Sequence, residues 1–528
     1  MGALEDTLAY HEQSKHRPGH YAPGPGYLDW ATQPDPWRSY AGAREVRLPL
    51  RSTQPLRCAS GLPDVTDVGA LLERSLAVSA WKEYQGNRWA LRCNPSSGNL
   101  HPTEAWLLIP ELDPGASPAG LYHYRSRDHA LELRCELGED EFDRLMGPLP
   151  DGIAVGLSTI AWREAWKYGE RAFRYCHLDL GHAIASISYA ASTLGLHASL
   201  LATPTDSELS ALFGLDRDDD FVGVETEHPD ALVLVSSGGG EPHGSWPSPE
   251  AIARVRGASW HGKPSQLSPS TLDWKAVAKV ELATRKTERG FPLPMLARRS
   301  AAIGALNPLP EVLLRRRSAQ DFEPDKGMSQ AQLWSILERV LPESGAPPWD
   351  AIGWKPLVHL AVFLHAVDGL EPGLYFLPRS QEARAQFAGA TLHDWDWEPV
   401  KEAPGHVPLW RMGAMSAREA SGFISCQQAI AADGALAFAM LAEFERPLRT
   451  WGAWVYRRLF WECGAIGHAL YIGAESAGLR ATGIGCFFDD KMHELLGLEG
   501  ASYQSLYHLA IGTPVDDPRI TTLPPYAR

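Results

Sequence analysis

A diverged internal repeat constrains this chain more than any other feature. The segment Trp166 to Arg174, Trp-Lys-Tyr-Gly-Glu-Arg-Ala-Phe-Arg, lies opposite Arg449 to Arg457, Arg-Thr-Trp-Gly-Ala-Trp-Val-Tyr-Arg, at a constant separation of 283 residues. At that same separation Gly181 meets Gly464 and Gly195 meets Gly478, so the register runs without gaps. Upstream, Ala119 to Tyr124 resembles Pro372 to Leu377. Two matches in the same order point to duplication more strongly than either alone.

Each matched block continues into a stretch rich in small residues, Gly181 to Ala191 and Gly464 to Ala474. A helix that is small or apolar on most sides belongs deep in a core, where backbones approach closely. The expectation is one such helix per copy, packed where the copies meet. Short β-branched or aromatic runs, Trp106 to Ile109, Ala231 to Val235 and Tyr507 to Ile511, read as strands. The fold class is therefore α+β: two fused domains, each an antiparallel-rich sheet flanked by helices. With 528 residues the chain exceeds what one core organises. The expected boundaries are 1–237 for the first copy, 238–305 for a linker and 306–528 for the second copy. The linker carries Ser-Ser-Gly-Gly-Gly from Ser236, many Pro and Ser residues, and a basic patch with Arg285, Lys286, Arg298 and Arg299.

Charge and cysteine usage exclude several classes. A formal net charge of -15 opposes binding to a polyanion, so no nucleic-acid partner is expected. The seven cysteines are odd in number, scattered, and form no Cys-x-x-Cys, which argues against a disulfide framework and a zinc clip and fits a reducing cytoplasm. Met1 to Tyr10 reads as no signal peptide, and no run of 18 apolar residues reads as a membrane span. His101, His182, His468 and His508 lack metal-ligand spacing and read as structural histidines, so no metal is expected. Serine-hydrolase chemistry is set aside for want of a Gly-x-Ser-x-Gly elbow.

Three local features carry chemistry. Leu314 to Phe322 places Arg315, Arg316, Arg317 and Ser318 together, a set of guanidiniums and a hydroxyl suited to a dianionic phosphate. Taken alone it is more often a solvated basic helix end. Arg92 to Glu104 contains the turn Pro95-Ser96-Ser97-Gly98-Asn99, whose hydroxyls, amide and backbone groups suit the edge of a planar polar ring. As a bare motif it is more often only a turn. Thr482 to Asp490 sets Gly483, Ile484 and Gly485 after the second small-residue helix, where backbone can come against a ligand. It is neither a Walker loop nor a dinucleotide fingerprint.

Together these three resemble the FMN-binding signature of nitroreductase-like enzymes. The fuller text resembles the SagB-type (ThcOx-like) dehydrogenase branch, through Tyr10-His-Glu, Pro25 to Trp30, Trp166 to Arg174 and Gly512 to Arg519. The resemblance covers nearly the whole chain apart from the linker. It implies an obligate dimer with flavin at the interface. One partner supplies an Arg-Arg-Ser helix, a Gly-Ile-Gly segment and a C-terminal Arg; the other supplies the Pro-Ser-Ser-x-Asn loop.

The two copies hold complementary remnants of this set. The second has Arg316, Arg317, Ser318, Gly483, Ile484, Gly485 and Arg519, but reads Ile352 to Leu357 where the Ser-Ser loop should stand. The first has Pro95, Ser96, Ser97 and Asn99, but no Arg-Arg-Ser, and reads His197 to Leu201 in place of Gly-Ile-Gly. One composite site, one decayed site, one FMN per chain and a monomeric pseudo-dimer are expected. Gln320 departs from the family, which usually has a second basic residue there, and Arg315 or Arg519 are the candidates to compensate.

Lys167 and Tyr168 match the Lys-Tyr pair that azoline-oxidising members keep near the flavin; in the second copy Thr450 and Trp451 stand there. A base that removes a proton next to the carbon giving up hydride is sound chemistry. A surface lysine before a helix is the bland alternative. The leading expectation is an FMN-dependent oxidoreductase that dehydrogenates a heterocycle or peptide-derived substrate. NAD(P)H-dependent reduction of nitro or quinone compounds competes with it. A non-catalytic flavin-fold protein that binds a peptide or partner enzyme is the reading from another class.

Overall fold

The small-residue stretches form two long helices, α1 (Ala172–Ser192) and α2 (Val455–Ser476), which cross at the matched glycines. A Cβ on Gly181 would overlap the Trp461 carbonyl oxygen and come within 2.9 Å of Gly464 Cα; one on Gly464 would overlap the Leu178 carbonyl oxygen. Only glycine lets the two backbones meet, which is why both copies keep it. α1 is buried from Ala172 to Ala191 and α2 from Val455 to Glu475, as helices without a polar face must be. The coordinates are a computed structural model that describes residues 2–50, 64–112, 117–147, 152–237, 248–296, 308–343 and 345–526.

Each copy builds a seven-stranded antiparallel sheet. In the first the strand order is Arg44–Arg47, Ala130–Glu136, Gly120–Arg125, Thr103–Ile109, Gly152–Thr159, His228–Ser236 and His197–Leu200. In the second it is Glu398–Pro399, Trp410–Gly413, Gly373–Leu377, Val358–Leu364, Leu436–Glu443, Tyr503–Gly512 and Arg480–Ile484. The repeat around Tyr122 and Tyr375 thus falls on the third strand of both sheets. Registers correspond: Leu107 pairs with Tyr122 and Val155, while Val362 pairs with Tyr375 and Phe438. The expected α+β class and the two-copy architecture are what the chain adopts.

The separation of 283 residues persists beyond the stretch read from sequence. Helices Asp206–Phe213 and Asp489–Leu496 begin and end in step, each closed by a left-handed glycine, Gly214 and Gly497. Their first acids reach across to the other copy's long helix: Arg174 bonds Asp489 at 2.7 Å and Arg457 bonds Asp206 at 2.5 Å. Asp489 is buried, yet Arg171 and Arg174 hold its carboxyl far below the usual range. A third sheet braces the halves again, because Thr521–Leu523 adds to the first-copy hairpin Val78–Tyr84 and Asn87–Arg92.

The described part of the linker, 248–296, holds more regular structure than its composition suggests. Within it helices Pro249–Gly257 and Lys275–Ala283 bury Ile252, Val255, Val277 and Val280, apolar positions at helical spacing. It then lies on the second copy's Ile352–Leu357 segment, where Lys355 donates to the Pro294 carbonyl at 2.7 Å and Leu296 to that of Gly353 at 2.8 Å. The expected boundaries at 237/238 and 305/306 touch residues outside the description, as do Cys58, Arg298 and Arg299. Among the described residues no helix is long and apolar enough to cross a membrane.

Candidate functional site

A cavity of about 540 Å³ opens between the copies, a size suited to a cofactor-sized ligand. The first copy contributes Pro95, Ser96, Ser97 and Asn99 to its lining; the second contributes Arg316, Arg317, Ser318, Gln320, Gly483, Ile484 and Gly485. The two halves also touch directly there. Arg316 Nε donates to the Cys93 carbonyl and Nη2 to that of Arg92, both at 3.0 Å.

The Ser-Ser loop is shaped by the protein before any ligand is considered. Gly98, Asn99 and His101 have φ of 57°, 60° and 53°, left-handed values that need support when the residue is not glycine. Asp179 on α1 gives that support, accepting from the Ser97 amide at 2.9 Å and the Ser97 hydroxyl at 2.8 Å. The Asn99 amide donates to the Ala90 carbonyl and the His101 N–H to the Ser96 hydroxyl. Ser97 and Asn99 therefore spend side-chain donors on α1 and on the strand Asn87–Arg92, where the sequence offered those groups to a ring edge. Glu462, 283 residues after Asp179, takes the amides of Leu357 and Val358 in the second copy, so the same device survives without the serines.

Arg316, Arg317 and Ser318 do not lie on a helix, which corrects the expectation of a phosphate helix. The helix Pro310–Arg315 ends first, because Arg316 turns to φ -48° and ψ 129°. The chain then runs beside the edge strand Arg480–Ile484, with the Ala319 amide donating to Ala481 at 2.9 Å. Tyr471 from α2 secures both parts: its hydroxyl accepts from the Gly483 amide at 2.7 Å and shares a hydrogen bond with Ser318 at 2.9 Å. The glycines serve packing as much as ligand approach, since a Cβ on Gly483 would overlap the Tyr507 hydroxyl and one on Gly485 the Tyr175 ring. Both tyrosines line the cavity.

Two expected arginines lie elsewhere. The Arg519 side chain is 70% exposed and forks onto Asp517 at 2.7 Å. Arg315 pairs with Glu475 at 2.7 Å. Neither lines the cavity, and in their place stand Lys82 and Arg480, which the sequence reading missed. Lys82, Arg316, Arg317 and Arg480 crowd one wall. Burial, and then Arg316, push the Arg317 guanidinium down to about 10, and burial with Arg317 lowers Lys82.

Tyr168 lines the cavity, its hydroxyl 2.5 Å from where a Cβ on Gly98 would stand; Lys167 Nζ is 3.2 Å from that point. Lys167 itself stands just behind the lining, half-buried on the last turn of helix Ala161–Tyr168. Burial and the neighbouring Glu164 hold the Tyr168 hydroxyl protonated well above its ordinary range.

Several lining residues have buried polar atoms without a partner among the described residues: Arg316 Nη1, Arg92 Nε, Asn94 Oδ1, His182 Nδ1 and both ring nitrogens of His101. The arginine donors Arg316 Nη1 and Arg92 Nε, on a cationic wall in a chain of net charge -15, fit an anionic group, and Asn94 Oδ1 adds an acceptor for a polar edge. Among the described residues no group of three or more His, Cys, Asp or Glu could hold a metal.

Asp179 was also missed, although the one carboxylate in a helix read as deeply buried was a readable signal. Burial raises it to about 7 against the Ser96 and Ser97 hydrogen bonds that lower it. The ligand-free folded chain keeps this proton up to about pH 7, whereas the unfolded chain releases it near pH 4. Between those values folding takes up a proton, so this group's contribution to stability falls as pH rises, by at most ~1.4 kcal/mol per pH unit. Asp179→Asn, which can still accept from Ser97, should gain about 3 kcal/mol relative to wild type between pH 4.5 and 7. Urea midpoints of the two ligand-free proteins at both pH values test this; an unchanged difference would refute the buried proton.

A duplicated α+β fold with a basic cavity between its copies defines a two-in-one form of an interface-site protein. The family model described as the Nitroreductase family matches residues 71–225 and 313–513, and the chain belongs to that family, as an oxidoreductase built from two of its repeats. The crystal structure of a nitroreductase-like protein from Anabaena variabilis superposes with a TM-score of 0.70 at 21% identity, covering 97% of this chain and 99% of that one. A chain of the E. coli microcin synthetase complex gives 0.27 at 22% identity over 36% and 69% of the two chains. NADPH:FMN oxidoreductase from Vibrio harveyi gives 0.25 at 15% identity over 39% and 69%. No curated protein matches the sequence.

Proposed function

We propose that the chain is a flavoenzyme of the SagB-type branch that binds one FMN in the composite cavity and dehydrogenates a heterocycle or peptide-derived substrate. The observation that carries this reading is cross-supply: Arg316 of the second copy and the Ser96–Ser97 turn of the first line one space. Arg316 and Arg317, with Lys82 and Arg480, would hold the phosphate, and Ser318 would add a hydroxyl. The Pro95–Asn99 turn and Gly483 to Gly485 would frame the ring. When bound, FMN supplies hydride transfer.

The remaining chemistry belongs to the protein. Lys167 would take the proton beside the carbon being oxidised, and Tyr168 would orient the substrate as a hydrogen-bond donor. The aromatic walls Tyr168, Tyr175 and Tyr507 would exclude water. Both copies lie in one chain, so a monomer has a complete cavity, and the scattered cysteines keep the cytoplasm as its proposed compartment.

Cofactor identity and stoichiometry test the proposal. Flavin released from the purified protein by heat should be FMN at one molecule per chain. A colourless protein that cannot be reconstituted with FMN would favour a non-catalytic binding module instead.

A further inference from the structure

Cys486 follows Gly485 on the wall of the cavity, and its Sγ lies 2.7 Å from that of Cys426, with which it shares a hydrogen bond. Both thiols are free and half-buried, within reach of a small reagent; Cys93, Cys135, Cys176 and Cys463 are fully buried. The turn that presents Cys426 is held against backbone preference. Cys426 and Gln427 have consecutive left-handed φ values of 55° and 60°, costly for residues with a Cβ. Gln428 holds the turn in place, donating to the carbonyls of Cys486 at 3.0 Å and Ser425 at 2.8 Å. Its side chain lines the cavity too.

We propose that Cys426 and Cys486 form a reversible dithiol–disulfide couple in the cavity wall, oxidised by low-molecular-weight disulfides. This inference stands on the two sulfurs and their turn, whatever ligand fills the cavity.

Cys486 is the attacking thiol. The hydrogen bond shared with Cys426 and the nearby His16 lower its pKa despite burial, and the same hydrogen bond raises that of Cys426. The Cys486 thiolate attacks one sulfur of the reagent, whose S–S bond breaks, and one thiol leaves with a proton. Cys426 then gives up its proton and attacks the Cys486 sulfur of the mixed disulfide, expelling the second thiol. The protein dithiol loses two electrons and two protons, and the reagent becomes two thiols. Closing the bond ties the Ser425–Gln428 turn to the strand that carries Gly483, so the redox state of the surroundings would be written into the cavity wall.

Glutathione disulfide is the probe. The full chain is incubated with it, alkylated, digested and mapped by mass spectrometry. Peptides carrying Cys426 and Cys486 should be joined to each other, unmodified by alkylation, and separable by dithiothreitol. Cys426→Ser, which removes the resolving thiol, should instead accumulate one glutathione on Cys486. Recovery of both cysteines fully alkylated from the treated wild type, or of either joined to another cysteine, would overturn the couple. The wild-type map decides the matter even if the variant does not fold.

Discussion

Arg316→Ala is expected to weaken FMN binding roughly 10- to 150-fold while the chain stays folded. Arg316 is 3% exposed, it reaches the cavity from the second copy, and its Nη1 has no hydrogen-bond partner among the described residues. With Nε and Nη2 already donating to the Cys93 and Arg92 carbonyls, Nη1 is the group left for the phosphate; one charge-assisted hydrogen bond is worth about 1.5–3 kcal/mol, so its loss corresponds to about one to two decades in affinity. The cost to the ligand-free fold is smaller because the substitution has opposing effects. It removes the hydrogen bonds to Arg92 and Cys93 carbonyls, and it also relieves the crowding that lowers Arg317. Arg316→Lys separates charge from shape: an ammonium keeps the field but cannot hold the Cys93 and Arg92 carbonyls and a ligand together as the planar guanidinium does, so its affinity should fall between wild type and Ala. Fluorescence titration of stripped protein with FMN gives the affinities, and urea midpoints without FMN check the fold. Equal FMN affinity in all three proteins would remove Arg316 from the site and leave cross-supply without support.

The fold was legible where close packing leaves no choice of residue. Gly181 and Gly464 must be glycine because two backbones meet there, so their spacing survived divergence and announced two copies. The third-strand match around Tyr122 and Tyr375 survived for the same reason, both residues being buried in equivalent strands. The site was legible only in its motifs. Lys82 and Arg480 sit on strands, where a basic side chain is ordinary, and they meet Arg317 only once sheets of both copies are assembled. Arg519 misled because a motif match is blind to a local competitor: Asp517, two residues earlier, captures the guanidinium in water-exposed geometry. The helix expected at Arg316 failed for a related reason. Arginine has good helix propensity, but the parallel bridge between Ser318 and Ala481 draws the chain out along an edge strand, and tertiary pairing overrides propensity.

Lys167→Ala should leave FMN content at one per chain and lower dehydrogenation by roughly 10²- to 10⁴-fold, the usual worth of a positioned base. Content is insulated because Lys167 stands behind Gly98, whereas the turn itself is held by Asp179. Turnover is exposed because Lys167 Nζ lies 5.3 Å from the ring centre of Tyr168, which lines the cavity, and the second copy has Thr450 at the matching position. The comparison that gives the test its force is a second reaction in the same variant. Reduction of a quinone by NAD(P)H requires no proton to be taken from carbon, so it should change by less than about threefold. A fall in azoline oxidation with quinone reduction intact assigns Lys167 to proton removal. A parallel fall in both would mean that the substitution disturbs the cavity as a whole. Unchanged azoline oxidation would make Lys167 a bystander, and the nitro- or quinone-reductase reading would then account better for the same cavity. Tyr168→Phe refines the outcome: it keeps the ring that packs on Tyr175 at 4.4 Å and deletes only the hydroxyl, so a hydrogen-bonding role should cost turnover without costing FMN.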